Sequence, residues 1–314
     1  MRYLNDLTEG ARVGDVYLVK QKTNAITKNG KNYYNVILQD KTGTMDAKVW
    51  DPNGMGIDEF EAKDYVDVVG DVTSFNGALQ INIKRVRKAS EGEYVPSDYL
   101  PVSSHNIDEM YGELLDMINR TENPYLKKLL SAFFIEDADF IKAFKFSSAA
   151  KTVHHAFVGG LLEHTLSVAK SCEFFAGKYS RLNRDLIVAA AICHDIGKIR
   201  EIVAFPENDY SDEGNLIGHI VMGSEMVSEK IKDIEGFPVN LANELKHCIL
   251  AHHGELEYGS PKKPALMEAV ALSFADNLDA KMETFDEAIE GAMDPNAWQG
   301  FNRLLESNIR GTRM

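Results

Sequence analysis

The chain has 314 residues, 44% of them hydrophobic, and a formal net charge of −14. This length is enough to bury the cores of two domains or of one large domain. The chain contains no run of about 18 apolar residues, and its first residues, MRYLNDLTEGARVGD, lack the charged and then apolar pattern of a secretion signal, so we expect neither a membrane span nor export.

The acidic charge is unevenly distributed along the chain. Residues 1–90 carry 13 basic and 12 acidic side chains, whereas the remainder carries 21 basic and 36 acidic ones. A strongly acidic chain argues at first against a nucleic-acid partner. The nearly neutral first part can nevertheless contact nucleic acid, while the acidic remainder repels it or collects cations.

The three cysteines, Cys172, Cys193 and Cys248, are widely spaced and lie in apolar, helix-like segments. An odd number at such spacing does not fit a disulfide framework and predicts buried, reduced thiols. Together with the lack of an export signal, this usage predicts a cytoplasmic protein.

The first ninety residues predict a small β-barrel. Short β-branched and aromatic runs, such as NYYNVILQD and ALQINIKRVRKA, are separated by turn signals such as KNGK and PNG. Five such runs in about ninety residues suit a small barrel. An SH3-like barrel and a small sandwich are the alternatives.

The remainder predicts an all-α domain behind a linker. Residues 91–106 hold two prolines and many small polar residues, which is typical of a linker. From Ile107 onward apolar residues recur at spacings of three and four, as in IDEMYGELLDMINR. We therefore predict a barrel over 1–90, a helical domain over 107–290 and a mildly amphipathic helical tail over 291–314, which is the candidate contact of a homo-oligomer.

Polar side chains that can bind metal interrupt five otherwise apolar helical segments. One buried histidine on an apolar face is usually a core residue with a hydrogen-bond partner, but five such interruptions in separate segments indicate a shared role. The residues are His164, His194 with Asp195, His219, His252 with His253, and Asp276.

A bound divalent cation gives these residues that shared role. Imidazole and carboxylate suit Mn²⁺, Fe²⁺, Co²⁺ or Zn²⁺, and the lack of a C-x-x-C pair argues against a thiolate zinc site. At a helix end His194 and Asp195 can diverge around one or two ions, and the two oxygens of Asp195 can bridge them. Two ions about 3.5–4 Å apart form a clamp for phosphoester hydrolysis.

The histidine and aspartate pattern resembles the HD superfamily of metal-dependent phosphohydrolases, in the order His164, His194-Asp195 and Asp276. His219 and the His252-His253 pair resemble the HD subset that binds two metals. Over almost the whole chain the sequence is similar to the YhaM family of bacterial 3′→5′ exoribonucleases, in the segments KTVHHAFVGGLLEHTLSV, AAICHDIGKIREI, GHIVMG and ILAHHGELEYGSPKKP. The segment YLVKQKTNAITKNGKNYYNVILQDKTGTMDAKVWD resembles an OB-fold that binds single strands.

The resemblance implies a two-metal centre that activates water. The first ion would bind His164, His194, Asp195 and Asp276. Asp195 would be shared with a second ion held by His219 and by His252, His253 or both. Mn²⁺ is the ion that the resemblance favours, with Co²⁺, Fe²⁺ and Zn²⁺ as alternatives.

The resemblance also implies catalytic roles beside the metals. Lys198 would stabilise the charge at phosphorus or protonate the leaving 3′ oxygen, and a surface lysine is the alternative. His154 and His155 would contact the substrate phosphate, and capping or packing is their alternative.

Basic and aromatic side chains of the barrel are the candidates for binding single-stranded RNA and, as a second partner, single-stranded DNA. Such binders combine a basic groove with aromatic side chains on which bases stack. Alternation along a strand sends one of Tyr33 and Tyr34 into the core, and the basic run from Lys84 to Lys88 has an exposed, charged strand edge as its alternative. The candidates are Lys20, Lys22, Lys28, Lys31, Tyr33, Tyr34, Trp50, Phe75, Lys84, Arg85, Arg87 and Lys88.

The function implied is removal of nucleotides from the 3′ end of single-stranded RNA, with the direction resting on the resemblance alone. One alternative is a hydrolase of small nucleotides, for which a barrel would serve little purpose. The other is a single-strand binding protein with an inactive HD domain, against which the complete set of ligands argues.

Overall fold

The computed structural model describes residues 2–27, 29–75, 77–151, 155–290, 292 and 294–312. The chain divides into two compact units, Met1–Val102 and Ser103–Met314. The first is a β-barrel and the second is built mainly from helices, so the predicted fold class, a barrel followed by a helical domain, is confirmed.

Five strands close the barrel of the first unit. They pair in the order β1-β2-β3-β5-β4, with β4 returning to β1. Only β3 and β5 pair in parallel, and the other neighbours are antiparallel, as in the five-stranded Greek-key barrel of the OB-fold. The strands are β1 Arg12–Ile26, β2 Asn32–Asp40, β3 Gly43–Val49, β4 Tyr65–Phe75 and β5 Ala78–Lys88.

Alternating side chains fill the barrel. On β2 the buried apolar residues are Val36 and Leu38, and on β5 they are Ile81, Ile83 and Val86. Between them lie the outward-facing positions of the same strands, because side chains along a strand point to opposite faces. The period-two pattern read from the sequence thus corresponds to an inner apolar face and an outer polar face.

The segment predicted to be a linker packs on the barrel. Tyr94 stacks on Tyr65 with ring centroids 3.8 Å apart. Tyr99 is buried, and its carbonyl oxygen accepts a hydrogen bond from the side chain of Gln39. Residues up to Val102 therefore belong to the barrel unit, because aromatic side chains within a Pro-rich segment still bury apolar surface.

In the part of the second unit that the structure describes there are ten α-helices, and α5 lies at their centre. Every residue of α5 from Leu186 to Cys193 is buried, and α4, α9 and α10 pack against it. Among the described residues, no helix has the length and apolar character needed to cross a membrane. The helices are α1 Ile107–Asn119, α2 Pro124–Phe134, α3 Ala138–Phe146, α4 Gly160–Lys178, α5 Arg184–Cys193, α6 Lys198–Glu201, α7 Asp212–Ile217, α8 His219–Lys232, α9 Val239–Leu250 and α10 Met267–Glu290.

Side-chain caps define where several helices begin. Asn106 accepts hydrogen bonds from the backbone N–H groups of the first turn of α1, and Asn123 does so for α2. Asn183 accepts one from Leu186 at the start of α5. These caps satisfy N–H groups that have no partner within the helix, and they set where the buried helix α5 starts and hence where it ends.

The helical tail predicted over 291–314 is wrong for the described part of that segment. Residues Phe301–Asn302 and Ser307–Asn308 form a two-stranded hairpin, β6 and β7. Gly300 has a φ of +88°, a left-handed conformation that a helix does not contain. The backbone of Ile309 bonds with Gln299 and Gly300 instead of with residues one helical turn away.

Candidate metal centre

The end of α5 places His194 and Asp195 inside the helical unit. The helix ends at Cys193, and His194 begins a turn that leads into α6. His194 is fully buried and Asp195 is 2% exposed. Gly197 in the same turn lies against the start of α8, where an added Cβ would stand 2.0 Å from the carbonyl oxygen of His219. Only glycine allows this close approach, which brings α8 to Asp195.

The two oxygens of Asp195 face two different pairs of histidines. Its Oδ2 lies 3.4 Å from Nε2 of His164 and 3.4 Å from Nε2 of His194. Its Oδ1 lies 3.4 Å from Nε2 of His219 and 3.5 Å from Nε2 of His252. Asp195 therefore lies between two groups of nitrogen atoms.

Each histidine of the centre is oriented through its other ring nitrogen. Nδ1 of His164 and of His219 bonds a carboxylate, and Nδ1 of the other three bonds a backbone carbonyl oxygen. When Nδ1 donates its proton to such an acceptor, the lone pair of Nε2 is free for a cation. The partners are Asp279 for His164 at 2.7 Å, Glu201 for His219 at 2.9 Å, Ala191 for His194 at 2.7 Å, Ile249 for His252 at 2.6 Å and Tyr258 for His253 at 2.8 Å.

Three buried polar atoms at this centre have no hydrogen-bond partner among the described residues: Oδ1 of Asp195 and Nε2 of His219 and of His252. Leaving such an atom without a partner costs about 1–3 kcal/mol, and more for a charged group. Ligands bonded at about 2.0–2.1 Å to one ion lie roughly 3.0–3.4 Å apart, which is close to the spacing found here. The residues therefore fit a bound divalent cation.

The possible ligands form two adjacent groups. One contains His164, His194 and Asp276, with Oδ1 of Asp276 3.2 Å from Nε2 of His164. The other contains His219, His252 and His253. Asp195 adjoins both groups, so the structure brings all seven predicted metal ligands together.

The pKa shifts suit metal binding. Burial raises the pKa of Asp195, but the charge of Lys198 and two neighbouring histidines outweigh it and hold that pKa well below its usual value. Burial lowers the pKa of His252 and of His253, which keeps both neutral at neutral pH. Burial also lowers the pKa of His164, but the aspartates around it raise it well above normal, and a bound cation would replace that proton.

The predicted catalytic residues have different surroundings. The amine of Lys198 lies 2.7 Å from Oδ2 of Asp195, with 15% of its side chain exposed. His155 is 3% exposed, and its Nε2 lies 3.0 Å from Asp279. His154 lies outside the described residues.

Sequence reasoning missed two carboxylates that orient the ligands. Asp279 lies 2.7 Å from Nδ1 of His164 and also bonds Ser167, and Glu201 lies 2.9 Å from Nδ1 of His219. Asp279 follows Asp276 by three residues on α10, so helical spacing places both on one face. Glu201 follows His194 by seven residues, but a turn separates α5 from α6, so no pattern marked it.

The outer face of the barrel carries an aromatic pair. Tyr33 stacks on Trp50 with centroids 4.9 Å apart, and the indole N–H of Trp50 donates to Asn82. Asn82 in turn donates to Thr73. Tyr34, the neighbour of Tyr33, instead packs edge-on against the buried ring of Phe60. The face therefore runs across β2, the end of β3, β5 and β4, and is called the aromatic face below.

The other predicted strand-binding residues divide into paired and exposed side chains. Lys22 donates to the carbonyl oxygen of Phe60 and pairs with Glu61, so it braces the barrel. Ion pairs also engage Lys84 with Asp71, Arg87 with Asp67 and Glu93, and Lys88 with Asp64. Lys20, Lys31, Arg85 and Phe75 are exposed, and Lys28 lies outside the described residues.

Two family models match the chain, one in each unit. The HD domain model matches residues 161–281, which contain the seven predicted ligands. The OB-fold nucleic acid binding domain model matches residues 11–89, which contain the barrel. The fold and the site thus define a metal-dependent phosphohydrolase of the HD superfamily joined to an OB-fold.

Curated relatives match the chain over most of its length. The chain is 36% identical over 288 residues to the 3′-5′ exoribonuclease YhaM of Bacillus velezensis, which covers 90% of this chain and 88% of the relative. Identity is also 36% to the proteins of the same name from Geobacillus (88% of this chain, 85% of the relative) and Bacillus subtilis (90% and 88%). The chain belongs to the YhaM family of 3′-5′ exoribonucleases.

Proposed function

We infer that the protein is a metal-dependent exoribonuclease that removes nucleotides from the 3′ end of single-stranded RNA. The observation that carries this inference is the position of Asp195, whose two oxygens face separate pairs of histidine Nε2 atoms. Such an arrangement suits two cations that clamp a phosphodiester. Relatives named 3′-5′ exoribonuclease and a barrel that matches a nucleic-acid-binding model support the substrate and the direction. Action on cellular RNA agrees with the predicted cytoplasmic location.

Two divalent cations would be bound on the two sides of Asp195. One would be held by Asp195, His164, His194 and Asp276, and the other by Asp195, His219, His252 and His253. Mn²⁺ is the first candidate because this donor set mixes imidazole with carboxylate and lacks thiolate, with Co²⁺, Fe²⁺ and Zn²⁺ as alternatives. When bound, the cations acidify water and neutralise charge that develops at the phosphate.

Lys198 holds Asp195 and supplies positive charge beside it. Burial lowers the pKa of Lys198, but the Asp195 carboxylate raises it above its usual value, so the amine stays protonated. An ammonium at this position can donate to a phosphate oxygen or to the leaving 3′ oxygen, since it carries three protons and one points to Asp195.

Asp279 and Glu201 orient the histidines of the two groups. Each accepts a hydrogen bond from Nδ1 of a ligand, which fixes the ring and increases the basicity of Nε2. His155 bonds Asp279 in turn and is buried. We therefore assign His155 a positioning role in place of the predicted contact with the substrate phosphate.

The aromatic face is the surface to which we assign the single strand. Trp50 is 48% exposed and already stacked on Tyr33, so a base can add to the stack without reordering either ring. Asn82 and Thr73 offer hydrogen bonds beside it. Stacking of this kind accepts any base, so single-stranded DNA is proposed as a second substrate.

The test is digestion of an RNA labelled at its 5′ end by the Mn²⁺-loaded protein. We expect a ladder that shortens from the 3′ end and is absent with the Asp195→Ala variant. A control substrate that carries a 3′-terminal phosphate separates attack at the end from internal cleavage. Intact RNA in a retarded complex would contradict the proposal, as would release of internal fragments.

A further inference from the structure

A long apolar stripe runs along the exposed side of α10, opposite Asp276, the candidate metal ligand on the same helix. Its side chains recur at spacings of three and four, which place them within an arc of about 120° on a helix. They are 43–69% exposed although each is large and apolar. The stripe consists of Met267 (48%), Val270 (43%), Phe274 (69%), Leu278 (51%) and Met282 (61%).

The stripe borders a groove against the end of α4. The groove has a volume of about 580 Å³, and Phe175, Tyr179 and Leu182 form its other side. At roughly half exposure, the five side chains of the stripe and Tyr179 (49%) together present on the order of 600 Å² of apolar surface, the upper end of what a monomer exposes in one patch. A stable interface buries about 800 Å² on each partner, so the stripe is large enough to be the core of one.

The pattern of the stripe is nearly symmetric about Phe274. Val270 and Leu278 stand four residues to either side of it, and Met267 and Met282 stand seven and eight residues away. Two such helices that pack antiparallel across a two-fold axis would set Phe274 against its own copy. They would also set Val270 against Leu278 and Met267 against Met282, since a two-fold contact uses the same patch twice.

The charges at the two ends of α10 are complementary in the same orientation. Lys178 and Lys262 are exposed near the start of the helix, where Lys178 lies over the ring of the groove residue Tyr179. Its last turns are acidic overall, with Asp286, Glu287 and Glu290 exposed and one exposed lysine, Lys281, among them. An antiparallel pair brings the basic end of each copy to the acidic end of the other, whereas a parallel pair would place like charges together.

We propose that α10 is a homodimer interface, in which a second copy of this chain packs antiparallel on the stripe. The proposal stands independently of the inferred nuclease activity, because it rests on the outer face of α10 and its readout is molecular mass. It transfers the expected homo-oligomer contact from the tail to α10.

The first experiment is the mass of the full-length protein in solution, by sedimentation over a concentration series. We expect a dimer, and we expect Phe274→Glu to weaken self-association by at least about a hundred-fold because each dimer loses two central aromatic contacts and gains two buried charges. The matched control is Phe301→Glu, which changes an equally exposed phenylalanine (66%) in the tail hairpin and should leave the dimer intact. Circular dichroism and bound-metal content of each variant establish that it is folded.

A charge exchange tests the antiparallel orientation. The variants Lys178→Glu with Lys262→Glu, and Asp286→Lys with Glu290→Lys, should each dimerise several-fold more weakly than the wild type. Mixed together they should form a heterodimer at wild-type strength, because every end then meets an opposite charge. A wild-type monomer at all concentrations would overturn the proposal, and so would a dimer that Phe301→Glu dissociates and Phe274→Glu does not. Failure of the mixed variants to associate would overturn the antiparallel orientation.

Discussion

The two units place their ionisable side chains in opposite environments, buried in the helical unit and at the surface in the barrel. The helical unit buries Asp195, His194 and His252 almost completely and leaves Oδ1 of Asp195 and Nε2 of His252 without a hydrogen-bond partner among the described residues. The barrel keeps its basic residues at the surface and pairs many of them with carboxylates. A buried, unsatisfied polar group costs several kcal/mol, whereas an exposed ion pair contributes about 0–1 kcal/mol.

This contrast predicts in which unit a single substitution has a large effect on function. In the helical unit each ligand is held by one specific partner, so one substitution should have a large effect on metal binding and turnover. On the barrel the effect of binding is spread over several exposed groups, so each substitution should have a small effect.

Asp195→Ala should reduce RNA hydrolysis by at least about a thousand-fold, because it removes the side chain shared by both ligand groups. Single-turnover rates on a short RNA at saturating Mn²⁺ measure the effect. The control is RNA affinity, which should stay within about two-fold of the wild type because the aromatic face is unchanged. A variant that keeps a tenth of the rate would contradict the role of Asp195.

Removal of the metals should destabilise the helical unit alone. A ligand present at about a hundred times its Kd stabilises by about 2.7 kcal/mol, which corresponds to roughly 5–10 °C in Tm for a unit of this size. The chain has two tryptophans, Trp50 in the barrel and Trp298 in the helical unit. Fluorescence melting of Trp50→Phe and Trp298→Phe variants, with and without a chelator, reports each unit separately. Equal shifts of Tm in the two variants would show that the metals stabilise both units, which contradicts the prediction.

Asp279→Asn should weaken metal binding by about 10–100-fold, because the Nδ1 of His164 loses a charged acceptor. Titration of the metal-free protein with Mn²⁺ measures this, and activity should recover at high Mn²⁺. Asp286→Asn is the matched control, an exposed aspartate on the same helix. Unchanged affinity of the Asp279 variant would show that this carboxylate does not support the ligand.

Trp50→Ala should weaken binding of a short single-stranded RNA by about 1–3 kcal/mol, the value of one stacked base, which is roughly 5- to 150-fold in Kd. Fluorescence anisotropy at fixed salt measures the Kd. Both proteins also carry Asp195→Ala, which is expected to prevent digestion of the RNA. Trp298→Ala, which removes an exposed tryptophan from the other unit, should have no effect. Equal losses in both variants would argue against the aromatic face.

Arg85→Ala should have the smallest effect, a few-fold loss of RNA affinity with a slope against log salt reduced by about 0.7, as for one phosphate contact on a single strand. Lys84→Ala should change the slope less, because Lys84 is already paired with Asp71. Binding isotherms at several salt concentrations compare the two. A larger change for Lys84 would reverse this ranking.

The structure brings the predicted metal ligands together, and the sequence could indicate them for a physical reason. A histidine or aspartate inside an apolar helical segment is costly to bury, so each one marks a position that needs a partner. His164, His219 and Asp276 were all recognisable in this way. Alternation predicts that one of Tyr33 and Tyr34 points into the barrel, but it does not say which one. The contact of Tyr34 with Phe60, which lies in a distant loop, determines this.

Partners from distant segments could not be predicted. Lys22 has the composition of a phosphate contact, but its amine is taken by a loop almost forty residues away. Asp279 and Glu201 act through the rings of histidines on other helices, and a helical carboxylate is ordinary on a surface. The tail hairpin depends on the left-handed conformation of Gly300 and on backbone hydrogen bonds between residues about ten positions apart. An amphipathic pattern predicts neither feature.

The most direct test of the two-metal centre is anomalous diffraction at the manganese edge from crystals grown with Mn²⁺. We expect two peaks of anomalous density about 3.5–4 Å apart. They should lie one on each side of the Asp195 carboxylate, the first near His164 and the second near His219. A single peak, or two peaks that do not share Asp195, would contradict the two-metal centre.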